Sequence, residues 1–233
     1  MGSARLIDEG IQAVIFDAVG TLLFPVPSVV QTYAEAARRH GGAISEEVVR
    51  DRLREAFRRQ EEMDRANGWR TDEPREEDRW RAIVGEVVGE PWAELSFRDL
   101  WAWYGQPKAW QIHEDTEAVL ADLGRHGLVL GMASNFDARL RPLLDAFPDL
   151  APVRGRSVIS SQVGWRKPAA EFFREVTRVA GCPAPNILFI GDDRENDYEG
   201  ALAAGFQAVL LDPTGMAEDV RCMTRLSDLL RVK

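Results

Sequence analysis

The sequence predicts an α/β protein: a doubly wound parallel sheet with an all-helical domain inserted after its first strand. From about residue 113 onward, short apolar segments alternate with amphipathic helical segments, which is typical of a parallel sheet covered by helices. Between residues 29 and 105, by contrast, one amphipathic helical segment follows another without strand-like alternation. The helical block therefore separates the first strand from the rest of the sheet.

The first predicted strand, Ala13 to Phe16, is a short apolar run that ends at a carboxylate, Asp17. Ligands of open α/β sheets bind in the crevice beyond the carboxyl ends of the strands. Asp17 is therefore a candidate nucleophile or metal ligand, although an aspartate at a strand end is also a common turn or helix-capping residue. This stretch alone leaves both alternatives open.

The helical block begins after Pro25 and Pro27, which predict a stiff extended linker. Its stretch from Arg50 to Arg65 is rich in arginine and glutamate and predicts a solvated helix face with i,i+4 ion pairs. The helices of this block are predicted over residues 29–40, 45–67, 74–88 and 95–104.

Five of the seven tryptophans lie in the helical block. Because a small four-helix domain needs bulky side chains to fill its core, we interpret them as core or dimer-surface residues. A substrate-pocket role for an exposed one is the alternative. These residues are Trp69, Trp80, Trp92, Trp101 and Trp103.

The other strands of the sheet are predicted from short apolar runs, and the helices between them from amphipathic segments. The strands are predicted at residues 128–133, 157–160, 186–190 and 207–211, and the helices at 115–126, 137–147, 168–180 and 196–204.

Composition limits the class of protein and its partners. A net charge of −9 argues against nucleic acid or an anionic membrane surface as the main partner. The two cysteines, Cys182 and Cys222, predict neither a zinc site nor a disulfide framework. Because no signal peptide or membrane-spanning run is visible, we expect a cytoplasmic protein.

Polar groups follow several predicted strands or begin the helices after them. Because the carboxyl ends of parallel strands meet at one edge of a sheet, these groups can converge. Together they can supply a nucleophilic carboxylate, a phosphate-binding hydroxyl, a fixed positive charge and acidic ligands for a hard cation. The groups are Asp17, Ser134, Lys167 and the cluster Asp192, Asp193 and Asp197.

Four segments resemble the motifs of the haloacid dehalogenase-like (HAD) hydrolase superfamily and occur in that family's order. They are FDAVGTLL at 16–23, SNFD at 134–137, GWRKP at 164–168 and GDDREND at 191–197. The first looks closest to a subgroup of hydrolases that carry FDAVGTL. The resemblance implies a Rossmann-like core over residues 1–24 and 109–233, with residues 25–108 as a helical cap above the site.

The resemblance also implies roles for single residues. Asp17 would be the nucleophile of a magnesium-dependent phosphatase that acts, as a monomer or homodimer, on a small phosphorylated metabolite. The implied catalytic set is Asp17, Thr21, Ser134 and Lys167, with phosphate bound by Ser134, Asn135 and Lys167. The implied ligands of Mg²⁺ are Asp17, the main-chain carbonyl of Val19, Asp192, Asp193 and Asp197.

Val19 is the main departure from the family's pattern. The phosphatases of the family carry a second aspartate at this position, which protonates the leaving oxygen and then activates water. General acid–base catalysis is typically worth about 10²–10⁴-fold. We therefore expect poor activity on alkyl phosphates and a smaller loss on acyl or aryl phosphates.

Other functions within the superfamily also tolerate the loss of this aspartate. The 2-haloacid dehalogenases need no metal, lack the acidic pair of the fourth motif, and carry a tyrosine where this chain has Phe173. The phosphonoacetaldehyde hydrolases use a lysine of the cap, but this chain has none before Lys108. A further alternative is a catalytically weak or inactive phosphate-binding protein. We expect a magnesium-dependent phosphatase for a small phosphate ester or acyl phosphate, slowed by Val19.

Overall fold

The computed structural model describes residues 7–230, so the predicted core segments at 1–6 and 231–233 lie outside the described residues. Within that range the strands are β1 (Ala13–Phe16), β2 (Leu23–Pro25), β3 (Trp110–Ile112), β4 (Val129–Ser134), β5 (Ser157–Ile159), β6 (Ile187–Gly191), β7 (Gln207–Leu211) and β8 (Cys222–Met223). The α-helices are α1 (Val29–Arg39), α2 (Glu46–Ala66), α3 (Glu73–Val88), α4 (Ala93–Tyr104), α5 (Thr116–Arg125), α6 (Leu140–Ala146), α7 (Ala151–Arg154), α8 (Ser160–Val163), α9 (Ala170–Ala180) and α10 (Gly200–Ala203).

Six strands form one parallel sheet in the order β5-β4-β1-β6-β7-β8. Helices flank this sheet, so the predicted doubly wound, Rossmann-like fold is confirmed. β1 lies between β4 and β6, and Phe16 is paired with Met132 on one side and with Ile190 on the other. Because the three strands end close together, the residues that follow them lie side by side.

The central strand β1 is buried on both faces. Its alternate residues point to opposite sides of the sheet. Val14 and Phe16 belong to one hydrophobic core, and Ala13 and Ile15 belong to the other. Each of the four is at most 1% exposed. This double anchoring fixes the position of Asp17, the next residue along the chain.

Helices α1–α4, here called the helical subdomain, confirm the four helices predicted from the sequence. They pack around a separate core that includes Tyr33, Val49 and Ile83, each at most 1% exposed. The side chains of Ser28, Ser45 and Asp72 cap α1, α2 and α3. The division of the chain at residues 25 and 108 stays a prediction.

The segment at Pro25 is extended, as the two prolines predict, but it is paired with another strand. Leu23–Pro25 and Trp110–Ile112 form an antiparallel pair, with Leu23 opposite Ile112 and Pro25 opposite Trp110. Proline is tolerated at the end of such a short edge ladder because no further strand needs its missing N–H. The β2–β3 pair therefore links the segment that leads from the sheet into the helical subdomain with the segment that leads back to the sheet.

Three predicted helices of the sheet region begin later than expected or differ in form. The helices predicted from 137 and 168 begin at Leu140 and Ala170. The helix predicted over 196–204 is a π-helical turn, Arg194–Glu199, followed by the short α10. The side chain of Asp137 accepts from the backbone N–H of Arg139, which competes with regular helix formation at that point. The side chain of Asp193 instead caps the turn that begins at Arg194.

The stretch from Arg50 to Arg65 is only partly the solvated face that was predicted. Its i,i+4 pairs are present, for example Arg58–Glu62 at 2.6 Å. Asp64, however, is 1% exposed and accepts hydrogen bonds from Arg75 and Arg79. Sequence spacing alone could not distinguish this buried acid from its exposed neighbours.

No helix within residues 7–230 is both long and apolar enough to cross a lipid bilayer.

Candidate active site

Three neighbouring strands deliver the predicted polar groups to one edge of the sheet. Asp17 follows β1, Ser134 ends β4, and Asp192 follows β6. The backbone N–H of Asp17 donates to the carbonyl of Ile190 at 2.8 Å, which continues the β1–β6 pairing to this residue. Asp17 and Ser134 are 6% and 2% exposed and line a common cavity with Asp192.

Lys167 joins the carboxylates of this edge. Its Nζ donates to Asp17 Oδ1 at 2.5 Å, to Asp197 Oδ1 at 2.6 Å and to the carbonyl of Ala133 at 3.1 Å. Burial alone would lower the pKa of Lys167, but the carboxylates of Asp17 and Asp197 outweigh that effect and raise this pKa. Lys167 is therefore a permanent positive charge beside the candidate nucleophile.

Asn135 holds the backbone of Lys167 in place. Its Oδ1 accepts from the N–H of Lys167 at 2.8 Å, and its Nδ2 donates to the carbonyl of Lys167 at 3.1 Å. This pair of bonds ties the segment after β4 to the loop before α9. Asn135 thus positions Lys167 and also lines the cavity.

Asp17, Asp192 and Asp197 bring carboxylate oxygens within 4.8 Å of one another. Two glycines permit this approach. A Cβ at Gly20, whose φ is +92°, would overlap the side chain of Asp192, and a Cβ at Gly191 would overlap that of Asp197. Glycine is therefore required at both positions by the proximity of the acids.

The electrostatics of the three acids suit a divalent cation. Desolvation and the charges of Asp17 and Asp197 raise the pKa of Asp192 to about 7. Desolvation also raises the pKa of Asp197 to about 7, against the opposing effect of Lys167. One lysine does not balance three carboxylates, and carboxylate oxygens are the ligands that hard cations prefer. These residues therefore fit the Mg²⁺ that the sequence predicts.

We predict that Mg²⁺ stabilises the protein more strongly above pH 7 than below it. Without the cation, Asp192 and Asp197 of the folded chain keep their protons up to about pH 7. In the unfolded chain the same aspartates have pKa values of about 3.9 and have already lost these protons. That contribution to stability is complete below about pH 4 and is lost as the pH rises through about 7. Because Mg²⁺ competes with these protons, the increase in Tm on adding MgCl₂ should be larger at about pH 8 than at about pH 5. Equal increases at both pH values would contradict binding at these acids.

The remaining predicted residues surround this centre. Thr21 Oγ1 donates to Asp192 Oδ1 at 3.3 Å. Asp193 lies outside the triangle of acids, and its Oδ1 accepts from the backbone N–H of Asn196 at 2.8 Å. Val19 lines the cavity with an apolar side chain. The predicted metal-ligand roles of Asp193 and of the Val19 carbonyl stay predictions.

A cavity of about 380 Å³ extends from the sheet edge into the helical subdomain. The interpretation of the tryptophans is therefore incomplete. Trp80 and Trp101 do pack against the core of the helical subdomain, but both also line the cavity, as does Trp69. Further aromatic residues of the lining were missed, because sequence spacing does not show which helix face points to the sheet; they are Tyr33, Phe57, Phe97, Tyr104, Trp110 and Phe136.

The comparisons with known proteins identify the family of this chain. The model of the haloacid dehalogenase-like hydrolase family matches residues 11–205. The chain belongs to this family. It is 27% identical over 205 residues to the haloacid dehalogenase-like hydrolase domain-containing protein 3 of Bos taurus, covering 84% of this chain and 80% of the relative. It is 28% identical over 157 residues to a phosphoserine phosphatase of Thermus thermophilus, covering 66% of this chain and 61% of the relative.

Solved structures of the HAD hydrolases share the fold of this chain. A HAD phosphatase from Thermococcus onnurineus superposes with a TM-score of 0.65, and a 2-haloacid dehalogenase from Pseudomonas syringae with 0.64. Both are 22% identical and cover 94% of this chain and 96% of their own. Since a phosphatase and a dehalogenase superpose equally well, the choice of reaction depends on the residues of the site.

Proposed function

We propose that this HAD hydrolase is a magnesium-dependent phosphatase that cleaves small phosphate esters or acyl phosphates through an aspartyl-phosphate on Asp17. The observation that carries the proposal is the contact of Lys167 with both Asp17 and Asp197, next to Asp192, at the floor of a cavity. A relative named as a phosphoserine phosphatase supports the same reaction class.

In the first step, a carboxylate oxygen of Asp17 attacks phosphorus while the bond from phosphorus to the leaving oxygen breaks. The electron pair of that bond leaves with the oxygen. Ser134 Oγ and Lys167 Nζ hold the oxygens of the transferred group, where positioning and charge supply most of the catalysis. Mg²⁺ held by Asp17, Asp192 and Asp197 would offset the negative charge of the phosphate.

In the second step, water attacks the phosphorus of the aspartyl-phosphate, and the bond from phosphorus to the Asp17 oxygen breaks with its electron pair on the carboxylate. The proton of the attacking water passes to a phosphoryl oxygen or to solvent, so that Asp17 is freed and phosphate is released. Val19 has no group that could donate a proton in the first step or accept one in the second. The leaving groups that suit this site are therefore those that depart as stable anions, namely carboxylates and phenolates.

Asp17→Asn tests the nucleophile. We expect this variant to lose at least about 10³-fold in kcat on acetyl phosphate or phenyl phosphate, because an amide oxygen cannot form the intermediate. Asp145→Asn is a suitable control, since Asp145 pairs with Arg154 on the surface. Turnover by Asp17→Asn at the wild-type rate would show that the nucleophile is a different group.

A phosphate-binding protein without turnover is the second candidate, and Val19 is the observation that favours it. The same assay decides between the two. Binding of Mg²⁺ and phosphate by the wild-type protein without hydrolysis of either substrate would favour the binding protein. The dehalogenase alternative has less support, because the acids of the fourth motif are present and Phe173 is buried in an aromatic cluster with Phe172, Phe189 and Phe206.

A further inference from the structure

The cavity above Asp17 is walled by aromatic rings in contact with one another. Phe136 follows Asn135 at the sheet edge, and its ring centroid lies 6.0 Å from that of Trp110. Trp110 lies 5.7 Å from Tyr104. These contacts form a continuous aromatic wall from the phosphate-binding edge into the helical subdomain. The lining also includes a second ring pair, Phe57 and Trp80, with centroids 5.8 Å apart.

Trp69 completes the lining with a backbone conformation that is unusual for its residue type. Within residues 7–230 it is the one non-glycine residue with a positive φ, 61°. Two hydrogen bonds hold it there: its N–H donates to the carbonyl of Asp64 at 2.7 Å, and its carbonyl accepts from Arg166 N–H at 2.8 Å. Strained residues of this kind concentrate at functional sites. The two hydrogen bonds therefore hold this cavity-lining residue beside the loop that carries Lys167.

Three arginines around the upper cavity already form ion pairs within the chain, and the lining acid Glu61 accepts a hydrogen bond from the Asn196 side chain at 3.0 Å. Because these charged groups have partners, ring faces form a large part of the surface that the upper cavity offers to a leaving group. The pairs are Arg79–Asp64, Arg166–Glu76 and Arg139–Asp137.

From these contacts we infer that the site selects aryl phosphate monoesters, with the aromatic leaving group stacked in the cavity against Trp69 and Trp80. This inference rests on the proposed function and names its substrate class. A volume of about 380 Å³ is at the small end for ligand sites, so it limits the leaving group to one small ring system.

Val19 supports the same class of substrate by an independent argument. The pKa of a phenol is about 10, as for the tyrosine side chain. The pKa of water is about 15.7, and the pKa values of alcohols are similar to that of water. A phenolate therefore departs without a proton from the enzyme, while an alkoxide needs one. The aromatic wall and the missing acid thus favour the same leaving group.

The test compares phenyl phosphate with acetyl phosphate in steady-state assays with MgCl₂. Neither leaving group requires an acid, but only one carries a ring. We expect Trp69→Gly and Trp80→Leu each to raise KM for phenyl phosphate about 3- to 10-fold more than KM for acetyl phosphate. Trp103→Leu is the matched control, because Trp103 belongs to α4 but not to the cavity lining. Since glycine adopts a positive φ without strain, Trp69→Gly can keep the local backbone conformation, and the Tm measured beside the kinetics separates loss of substrate contact from a structural role.

Calorimetric titration of Asp17→Asn separates the failure of this inference from the failure of the proposed function. The aromatic site is supported if Asp17→Asn binds phenyl phosphate more tightly than inorganic phosphate, and if the double variant Asp17→Asn, Trp69→Gly binds phenyl phosphate more weakly than Asp17→Asn does. This result would support the site even if the wild type hydrolyses neither substrate. Equal affinities, or equal KM effects on phenyl and acetyl phosphate, would overturn the inference. Hydrolysis of acetyl phosphate by the wild type would then leave the phosphatase activity standing.

Discussion

Val19→Asp is expected to raise kcat/KM on alkyl phosphates by about 10²–10⁴-fold, the usual contribution of a general acid–base group. Val19 lines the cavity two residues after Asp17, and aspartate is close to valine in size, so the new carboxyl group can occupy the same space. There it would protonate the departing alkoxide. The gain on aryl and acyl phosphates should be much smaller, because those leaving groups need no proton.

Val19→Asn provides the matched control for this gain. Asparagine has the shape and polarity of aspartate but cannot transfer a proton at neutral pH. We therefore expect no comparable increase on alkyl phosphates from Val19→Asn. An equal increase in both variants would mean that polarity at this position, and not proton transfer, limits the wild-type protein.

Asp64→Ala is expected to lower the free energy of unfolding by about 3–5 kcal/mol, as in other proteins where one partner of a buried ion pair is removed. Asp64 accepts from Arg75 Nη2 at 2.6 Å and from Arg79, and it lies 3.5 Å from Arg166 Nε. Burial and the charge of Arg166 already lower the pKa of Arg79 to about 9. Without Asp64 these guanidinium groups would remain buried with less compensation.

Urea denaturation followed by circular dichroism measures this loss. Asp51→Ala removes an exposed acid from the same helix, whose pair with Arg54 is at the surface, and should cost less than about 1 kcal/mol. Because Arg166 directly precedes Lys167, Asp64→Ala should also lower kcat by disturbing the loop that positions that lysine. A loss no larger than that of Asp51→Ala would contradict the structural role of the buried acid.

The centre of the site could be predicted because it depends on strand ends. An apolar run that stops at Asp17, and another that stops at Gly191, mark the ends of parallel strands, and parallel strands must end at one edge. The resemblance to the HAD motifs then assigned roles to Ser134 and Lys167. None of these steps needed the positions of distant side chains.

The features that could not be predicted depend on contacts between distant parts of the chain. The strands β2, β3 and β8 have only two or three residues, too few to show alternation. Asp64 lies among exposed charges and is buried only because Arg75, Arg79 and Arg166 approach it. The aromatic lining likewise depends on which faces of α2, α3 and α4 point to the sheet.

The most direct test of the central claim is the dependence of kcat/KM on the pKa of the leaving group, measured with MgCl₂ on a series of substituted phenyl phosphates and alkyl phosphates. If Asp17 attacks phosphorus without help from a general acid, kcat/KM of the wild type falls steeply as this pKa rises, and Val19→Asp makes the dependence shallow. A shallow dependence in the wild type, unchanged in Val19→Asp, would contradict the claim.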